Sequence, residues 1–336
     1  MKKALVTGGG GFVGSAIVKR LVSMGVTPVI VGRSEYPKFK RLPVEICIGD
    51  IRDSEFLVKA SANCDTVFHV AAKAGVWGSR DEYFSINHGG TKNVIYACQK
   101  NNISNLIYTS TPSVVFNDAD IINGDEALPY SSRPLCHYAE SKIAAEKEVL
   151  SATSDLLKTV SLRPHLIWGP GDTNLIPRLV MRGKKGLVKQ VGAGDNSVDI
   201  VYIDNVVDAH IQAALSLETD NAVAGKAYFI SQGEPVNLWQ WINCLYERLG
   251  IPQVSNTISF RRAYYVGMLM EYVFAAFRIK KEPLMTRFVA QQLAKSHWFS
   301  IEAARKDFGY APLVSTSEGM DRLALWVKKQ EWFKLK

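Results

Sequence analysis

A tyrosine and a lysine four positions apart, Tyr138 and Lys142 in "HYAESK", are the pair in this chain best suited to move a proton. On a helix, positions i and i+4 share one face, so phenol and ammonium would stand together. A free phenol titrates at about pH 10, too high for exchange near neutrality. A neighbouring ammonium favours the phenolate and lowers that value. Such a tyrosine could give a proton to a carbonyl oxygen, or take one from an alcohol, while hydride moves at carbon. The spacing alone is weak support, because Y-x-x-x-K recurs on ordinary exposed helices. Its surroundings add to it: an upstream apolar run ends in the hydroxyls of "YTSTPS", where Thr111, with Ser110 beside it, could hold the substrate oxygen.

Hydride needs a carrier, and "TGGGGFVG" (Thr7–Gly14) supplies a place for one. Gly8, Gly11 and Gly14 follow an apolar run and open a helical pattern, the context in which a glycine-rich turn binds a dinucleotide. One glycine permits the turn, one admits the pyrophosphate against the backbone, and one lets the helix pack on the sheet. The ribose selector at the end of the second apolar run is Gly32-Arg33-Ser34, where NAD-binding chains carry an acidic residue. An always-charged arginine fits a 2′-phosphate, so NADP(H) is expected over NAD(H); Glu35 nearby keeps NAD(H) open. Asp50 and Ile51, in "GDIRD", could flank an adenine ring, or Asp50 could close a turn.

The elements that must position these residues alternate. Ala4–Val6, Pro28–Val31, Val44–Asp50, Thr66–Ala72, Asn105–Thr111 and Thr159–Gly169 read as six strands. Helical patterns follow Phe12, cover Gly90–Lys100 and run from Tyr138 to Ala152. Strands rich in Val and Ile, alternating with helices, predict an α/β fold: a Rossmann-type doubly wound parallel sheet. Beyond Gly169 the pattern loosens. Asp199–His210 reads as a short strand entering a helix, Lys226–Ser231 as another strand, and the chain from Pro235 onward as mostly helix. The expected organisation is a nucleotide-binding body at 1–168 plus 200–232. A smaller, mostly helical substrate lobe would take 169–199 plus 233–336. Within that lobe Phe260–Phe277 is very apolar, but its roughly 14 uninterrupted positions fall short of the roughly 20 that span a bilayer. It reads as a buried helix or the lid of a lipophilic pocket, with weak peripheral membrane contact through 260–281 as the alternative.

Totals narrow the classes further. The 336 residues are 47% hydrophobic and 21% charged, enough to bury a sizeable core without a disordered tract. The formal charge is +8, but the basic clusters, including a C-terminal lysine tail, are short and carry no nucleic-acid motif, so no nucleic-acid partner is expected. Five scattered cysteines without C-x-x-C argue against a disulfide framework or a zinc site. The opening "MKKALVTG" has too short an apolar run for a secretory leader, so a cytoplasmic location is expected.

Taken together, these residues resemble the extended short-chain dehydrogenase/reductases. Thr7–Gly14 is similar to that family's TGxxGxxG, and Tyr138 with Lys142 to its YxxxK. The resemblance implies cofactor contacts at Thr7, Gly8, Gly11, Phe12, Val13 and Gly14, and at Arg33, Ser34, Asp50 and Ile51. From "HVAA" it adds Ala71, Ala72 and Lys73; from "LRPHLIWGPGD" it adds Pro164 and His165 beside a carboxamide. It also implies a structural asparagine at Asn87 in "INHGGTKNV" and a catalytic hydroxyl at Thr111. Tyr138 and Lys142 would contact the cofactor as well as act in catalysis. "AAKAGVWG" and "YTSTPSVVF" resemble the 3β-hydroxysteroid dehydrogenase branch, which handles lipophilic alcohols and ketones. UDP-sugar members usually carry "VYG" where this chain has Val114-Val115-Phe116.

The expected activity is therefore NADP(H)-dependent interconversion of a lipophilic 3-oxo and 3-hydroxy compound, a long-chain 3-oxoalkanoate or a 3β-hydroxysteroid-like molecule. A nucleotide-sugar epimerase or dehydratase holding NAD is the alternative on the same fold. A redox-sensing module is the alternative from another class, although binding alone needs no Thr111/Tyr138/Lys142 set. A homodimer is expected, through the helices after Asn87 and Tyr138.

Overall fold

The structure, a computed structural model, describes residues 1–219 and 222–334, so Lys336 of the C-terminal lysine tail lies outside the described residues. β1 (Lys3–Thr7), α1 (Phe12–Ser23) and β2 (Thr27–Gly32) form the first unit. β3 (Glu45–Ile48), α2 (Ser54–Ala60) and β4 (Thr66–His69) follow. A π-type run, Phe84–Gly89, leads into α3 (Gly90–Lys100), β5 (Asn105–Thr109), α4 (His137–Ser151) and β6 (Lys158–Pro164). Next come α5 (Leu175–Lys184), α6 (Ile203–Thr219) and β7 (Lys226–Ile230). The C-terminal part adds α7 (Leu238–Leu249), α8 (Phe260–Ala276) and α9 (Arg287–Ala294).

The seven strands form one parallel sheet in the order β3-β2-β1-β4-β5-β6-β7. Alternate side chains along each strand enter opposite cores, as a pleat requires. Val6, Ile30 and Ile107 pack with Ile17, Leu21 and Val206 of α1 and α6. Their neighbours Leu5, Val29 and Leu106 pack with Val94, Cys98, Ala145 and Val149 of α3 and α4. The sheet is thus covered on both faces, the doubly wound arrangement the alternation predicts. The strand order reverses between β1 and β4, and ligands of such sheets bind at the carboxyl ends there.

A further core, built on Trp168, Tyr202, Trp241, Leu245 and Leu323, belongs to the C-terminal part. It adjoins a small sheet in the order Val236–Asn237, Ser197–Val198, His297–Phe299, Ile121–Gly124. Ile121–Gly124, from the segment between β5 and α4, pairs there with His297–Phe299.

Two expectations are corrected. The sixth strand is not continuous from Thr159 to Gly169: it stops at Pro164 and resumes as Ile167–Trp168. Leu166 between them is left-handed at φ 42, which breaks the extended backbone and lets Ile167–Trp168 pair with Val201–Tyr202 instead. Phe260–Phe277 is helical as expected, but it is not a buried helix: only Ala263 and Gly267 of α8 are buried. No helix among the described residues is long and apolar enough to cross a membrane.

Candidate active site

The glycine turn is shaped by contacts that leave no room for a side chain. Gly8 has φ +68, and a carbon added there would lie 2.9 Å from the Ala71 Cα. A carbon on Gly14 would lie 2.3 Å from the Gly8 carbonyl oxygen. At Gly10, which spacing left without a role, the obstacle is Tyr36, whose ring would sit 1.9 Å from an added carbon. The Tyr36 hydroxyl meets Gly32 equally closely, and Lys38 Nζ donates to the Gly10 carbonyl at 2.9 Å. Tyr36 and Lys38 thus close over the turn from the loop after β2.

This turn opens α1, whose N-cap Gly11 offers no capping side chain and whose first turn holds no acidic residue. Unpaired N–H groups at a helix N-terminus attract phosphate. A groove of about 410 Å³ runs past it, lined by Gly8, Gly11, Phe12, Val13, Gly14, Gly32, Arg33, Asp50, Ile51, Ala71, Ala72 and Lys73. Most residues expected at a dinucleotide therefore share one groove, and their cradle fits such a group. Arg33 is exposed at its rim with Ser34 just outside. Asp50 both lines the groove and closes a turn, accepting from Arg52 N at 2.9 Å and pairing with the Arg52 guanidinium at 2.7 Å. Those contacts hold its carboxyl below the usual carboxylate range.

Thr7 lies beneath the groove. Its Oγ1 accepts from the Val70 and Ala71 amides, both at 3.1 Å, and bonds His69 Nδ1 at 2.7 Å. With two amides already donating to it, the hydroxyl donates to Nδ1, which leaves the proton of a neutral ring on Nε2. Nε2 then donates to Thr91 Oγ1 at 2.9 Å, and Thr91 donates to the Asn87 carbonyl at 2.5 Å. Burial agrees, pushing His69 down to about 3. Asn87, as expected, is structural. Its side chain bonds Lys73 N at 2.7 Å, Lys73 O at 3.1 Å and Ser141 Oγ at 2.9 Å, and Ser141 donates to the Tyr138 carbonyl at 2.8 Å. One chain of hydrogen bonds therefore joins the glycine turn to the helix carrying Tyr138. Its members His69, Thr91 and Ser141 were missed, since only the fold brings them together.

Tyr138 sits in the first turn of α4, half-buried, its ring edge-on to Tyr83 at 6.4 Å. Here the expectation of a phenol lowered by Lys142 is corrected: burial pushes the phenol up to about 12, and what works against that rise is a hydrogen bond with the Thr111 hydroxyl, not the Lys142 ammonium. Thr111 is two residues past the end of β5 and caps the turn Pro112–Val114, with its Oγ1 3.2 Å from Ser113 N. Lys142 is buried; Nζ donates to the Thr109 carbonyl at 2.7 Å and lies 4.1 Å from the centre of the Tyr108 ring. Burial lowers the ammonium to about 7, and Glu146, one turn along α4, opposes the fall. Glu146 is itself fully buried against Arg163, with Nη2 to Oε1 at 2.5 Å and Ser161 Oγ to Oε2 at 2.8 Å. This pair was also missed.

Pro164 ends β6. His165, buried beyond it, lies 4.8 Å from the His297 ring, and its Nδ1 has no partner among the described residues. A buried nitrogen without a partner is a natural contact for an amide brought by a ligand. A second cleft, of about 1320 Å³, opens beside Tyr138 between the Lys73–Glu82 loop, the segment 131–143 and α8. Lys73 and Glu82 line both this cleft and the groove, and pair at 3.1 Å. Thr111, Tyr138, Lys142, Pro164 and His165 line neither space. Tyr138 follows directly on Cys136 and His137, which do line the cleft. The α8 side of the cleft presents Glu271, Tyr272, Phe274 and Ala275, with Trp77 edge-on to Phe274 at 6.1 Å. No cluster of metal-ligating side chains occurs among the described residues.

Comparison with known proteins gives the arrangement relatives. The 3-beta hydroxysteroid dehydrogenase/isomerase family matches residues 5–262. A 2-alkyl-3-oxoalkanoate reductase of Shewanella oneidensis is 47% identical over 328 residues, covering 95% of this chain and 85% of its own. A decarboxylating sterol-4-alpha-carboxylate 3-dehydrogenase of Mus musculus is 35% identical, covering 96% and 90%. Among solved structures, a UDP-glucuronic acid 4-epimerase from Bacillus cereus in complex with NAD superposes with a TM-score of 0.76 at 22% identity, covering 97% and 99%. That likeness concerns the fold.

Proposed function

The chain belongs to the 3-beta hydroxysteroid dehydrogenase/isomerase family, and we propose that within it the protein is an NADPH-dependent reductase of lipophilic 3-oxo acids. That it is an NAD(P)-dependent oxidoreductase follows from the company it keeps. The observation that carries the finer reading is Tyr138, hydrogen-bonded to the Thr111 hydroxyl on a helix that Asn87 and Ser141 tie to the glycine turn and whose neighbours Cys136 and His137 line the cleft. The names of the relatives, an oxoalkanoate reductase and a sterol carboxylate dehydrogenase, favour an acidic lipophilic substrate.

The cofactor would lie with its pyrophosphate on Gly8, Gly11, Phe12, Val13 and Gly14 and its adenosine by Asp50 and Ile51. Arg33 and Ser34 would take the 2′-phosphate. Ala71, Ala72 and Lys73 would follow its middle, Tyr138 and Lys142 its second ribose, and Pro164 and His165 its carboxamide. When bound it supplies the hydride that the substrate carbonyl carbon accepts.

The protein supplies the proton and the geometry. Tyr138 gives its phenolic proton to the substrate oxygen as negative charge develops there, so ketone, hydride and proton balance as alcohol. Thr111 holds that oxygen and stabilises the phenolate left behind. Lys142, kept in place by the Thr109 carbonyl, would anchor the second ribose of the cofactor. The cleft, walled on the α8 side partly by Tyr272, Phe274 and Ala275, would accommodate the chain of the substrate. We assign the nucleotide body to 1–168 plus 200–232 and the substrate lobe to 169–199 plus 233–336. We also assign a dimer interface to α3 and α4, where Tyr96 is exposed.

The test is Tyr138→Phe, assayed by NADPH absorbance with long-chain 3-oxo acids. Turnover should fall by about 10²–10⁴-fold while NADPH affinity holds. Full turnover in that variant would remove Tyr138 from the chemistry. Arg33→Asp, run with both cofactors, should move preference toward NADH; unchanged preference would reject the 2′-phosphate assignment.

A further inference from the structure

α8 has two faces, and the site draws mainly on one. Its inner face holds Ala263 and Gly267 against α9, where a carbon on Gly267 would lie 2.6 Å from the Thr286 backbone. Glu271 continues that face, accepting from Arg287 N at 2.6 Å and from Arg287 Nε at 2.7 Å. Phe274 and Ala275 then line the cleft.

The outer face carries Tyr265, Val266, Leu269, Tyr272, Val273 and Phe277, at helical spacing along roughly 18 Å. All six are exposed, Leu269 by 63%, Tyr272 by 65% and Phe277 by 75%. So large a contiguous apolar surface marks an interaction site.

Charge and continuity say what meets it. Arg261 and Arg262 stand at one end of the stripe, and Arg278, Lys280 and Lys281 at the other. All five are exposed, and none forms an ion pair among the described residues. The carboxylate on the helix, Glu271, is turned inward to Arg287, so nothing on α8 offsets them. An apolar stripe with cations at both ends is the pattern of a helix lying in an anionic interface. The same helix walls the cleft, and Tyr272, Arg278, Ile279 and Lys280 belong to its rim.

We propose that the outer face of α8 docks on an anionic lipid bilayer, so that the cleft opens onto the membrane from which a lipophilic substrate enters. The inference takes the lipophilic substrate from the proposed function, but the docking itself is read without it. The protein is co-sedimented with phosphatidylcholine vesicles, with and without phosphatidylglycerol. Binding should require phosphatidylglycerol and weaken as salt rises. Leu269→Glu with Phe277→Glu, and separately Arg261→Glu with Lys281→Glu, should each weaken it by roughly tenfold or more. None of these four side chains lines the cleft, so turnover of a water-soluble short-chain ketone should persist, which also certifies folding. No binding, equal binding to neutral vesicles, or binding indifferent to either pair would overturn the proposal. So would light scattering that shows a larger species dissolved by Leu269→Glu, because the face would then belong to a second copy. Loss of short-chain turnover in the unmodified protein would instead reject the proposed function.

Discussion

Around the glycine turn almost every added carbon has something to strike; along the outer face of α8 the side chains touch almost nothing. Gly8, Gly10 and Gly14 are closed by Ala71, Tyr36 and the turn's own carbonyl. Tyr265, Leu269 and Phe277 stand in the open. Both regions adjoin Tyr138, one through the hydrogen-bond chain from Thr7, the other through the cleft. The difference teaches where rigidity is required. On the proposed reading, hydride and proton would have to arrive at the same carbonyl with little positional error, which a locked turn serves. A long flexible substrate would need a wall and an entrance more than a mould, and loosely packed α8 would supply those.

If that contrast is correct, the largest losses come from the buried side. Glu146→Gln leaves Arg163 buried without its carboxylate partner. Stripping one member from a buried pair costs about 3–5 kcal/mol, to be read from denaturant unfolding. Replacing both, as Glu146→Leu with Arg163→Met, should recover most of that stability. Its activity separates a further role: Glu146 opposes the fall of the Lys142 ammonium, so the variant should move the pH profile as well as kcat. A stable double variant with an unchanged profile would reduce the pair to packing.

Gly14→Ala comes next. The added methyl meets the Gly8 carbonyl at 2.3 Å. Overpacking of this kind costs about 1–3 kcal/mol, and because the turn must move, NADPH affinity should fall with stability in a fluorescence titration. A variant that binds NADPH normally would show the turn to be as forgiving as α8.

Acid should also attack the locked half first. His69 and His210 are buried neutral, pushed down to about 3 and about 4 from an ordinary 6.5. Between those values the unfolded chain binds protons that the folded chain refuses. Stability is therefore present above pH 6.5 and lost as pH falls through the window. Each tenfold difference in proton affinity between the folded and unfolded chains is worth about 1.4 kcal/mol. Lys142, lowered from 10.5 to about 7, has the same sign and adds stability as pH rises between those values. Unfolding midpoints should fall steeply between about pH 6 and about pH 4; a flat response would mean that water reaches these rings.

Much of this organisation could be read along the chain. Local patterns carried the strand–helix alternation, the spacing of Gly8, Gly11 and Gly14, and the i, i+4 pair Tyr138–Lys142. What could not be read depends on residues distant in sequence. His69 becomes the link from Thr7 to Thr91 only when β1 and β4 pair, and Glu146 meets Arg163 only when α4 lies on β6. Tyr36 explains Gly10 from a separate loop. The apolar density of Phe260–Phe277 suggested burial, because composition does not reveal which neighbours a helix will find. The break at Leu166 follows Pro164, the one strand-disfavouring residue in a run otherwise rich in strand formers.

The smallest expected effect is therefore the sharpest check on the contrast. Leu269→Ser removes a large apolar side chain, which in either core would cost several kcal/mol. On the outer face of α8 the folded and unfolded chains expose that side chain almost alike, so stability should change by no more than about 0.5 kcal/mol. Soluble-substrate kinetics should not change, since Leu269 does not line the cleft. A loss of more than about 1 kcal/mol in unfolding would mean that the face is covered in the isolated protein, by a second copy or by a different seating of α8. A silent substitution leaves a large leucine exposed with no part in stability or in the chemistry of the site, and the reason for its presence must then lie outside the folded chain.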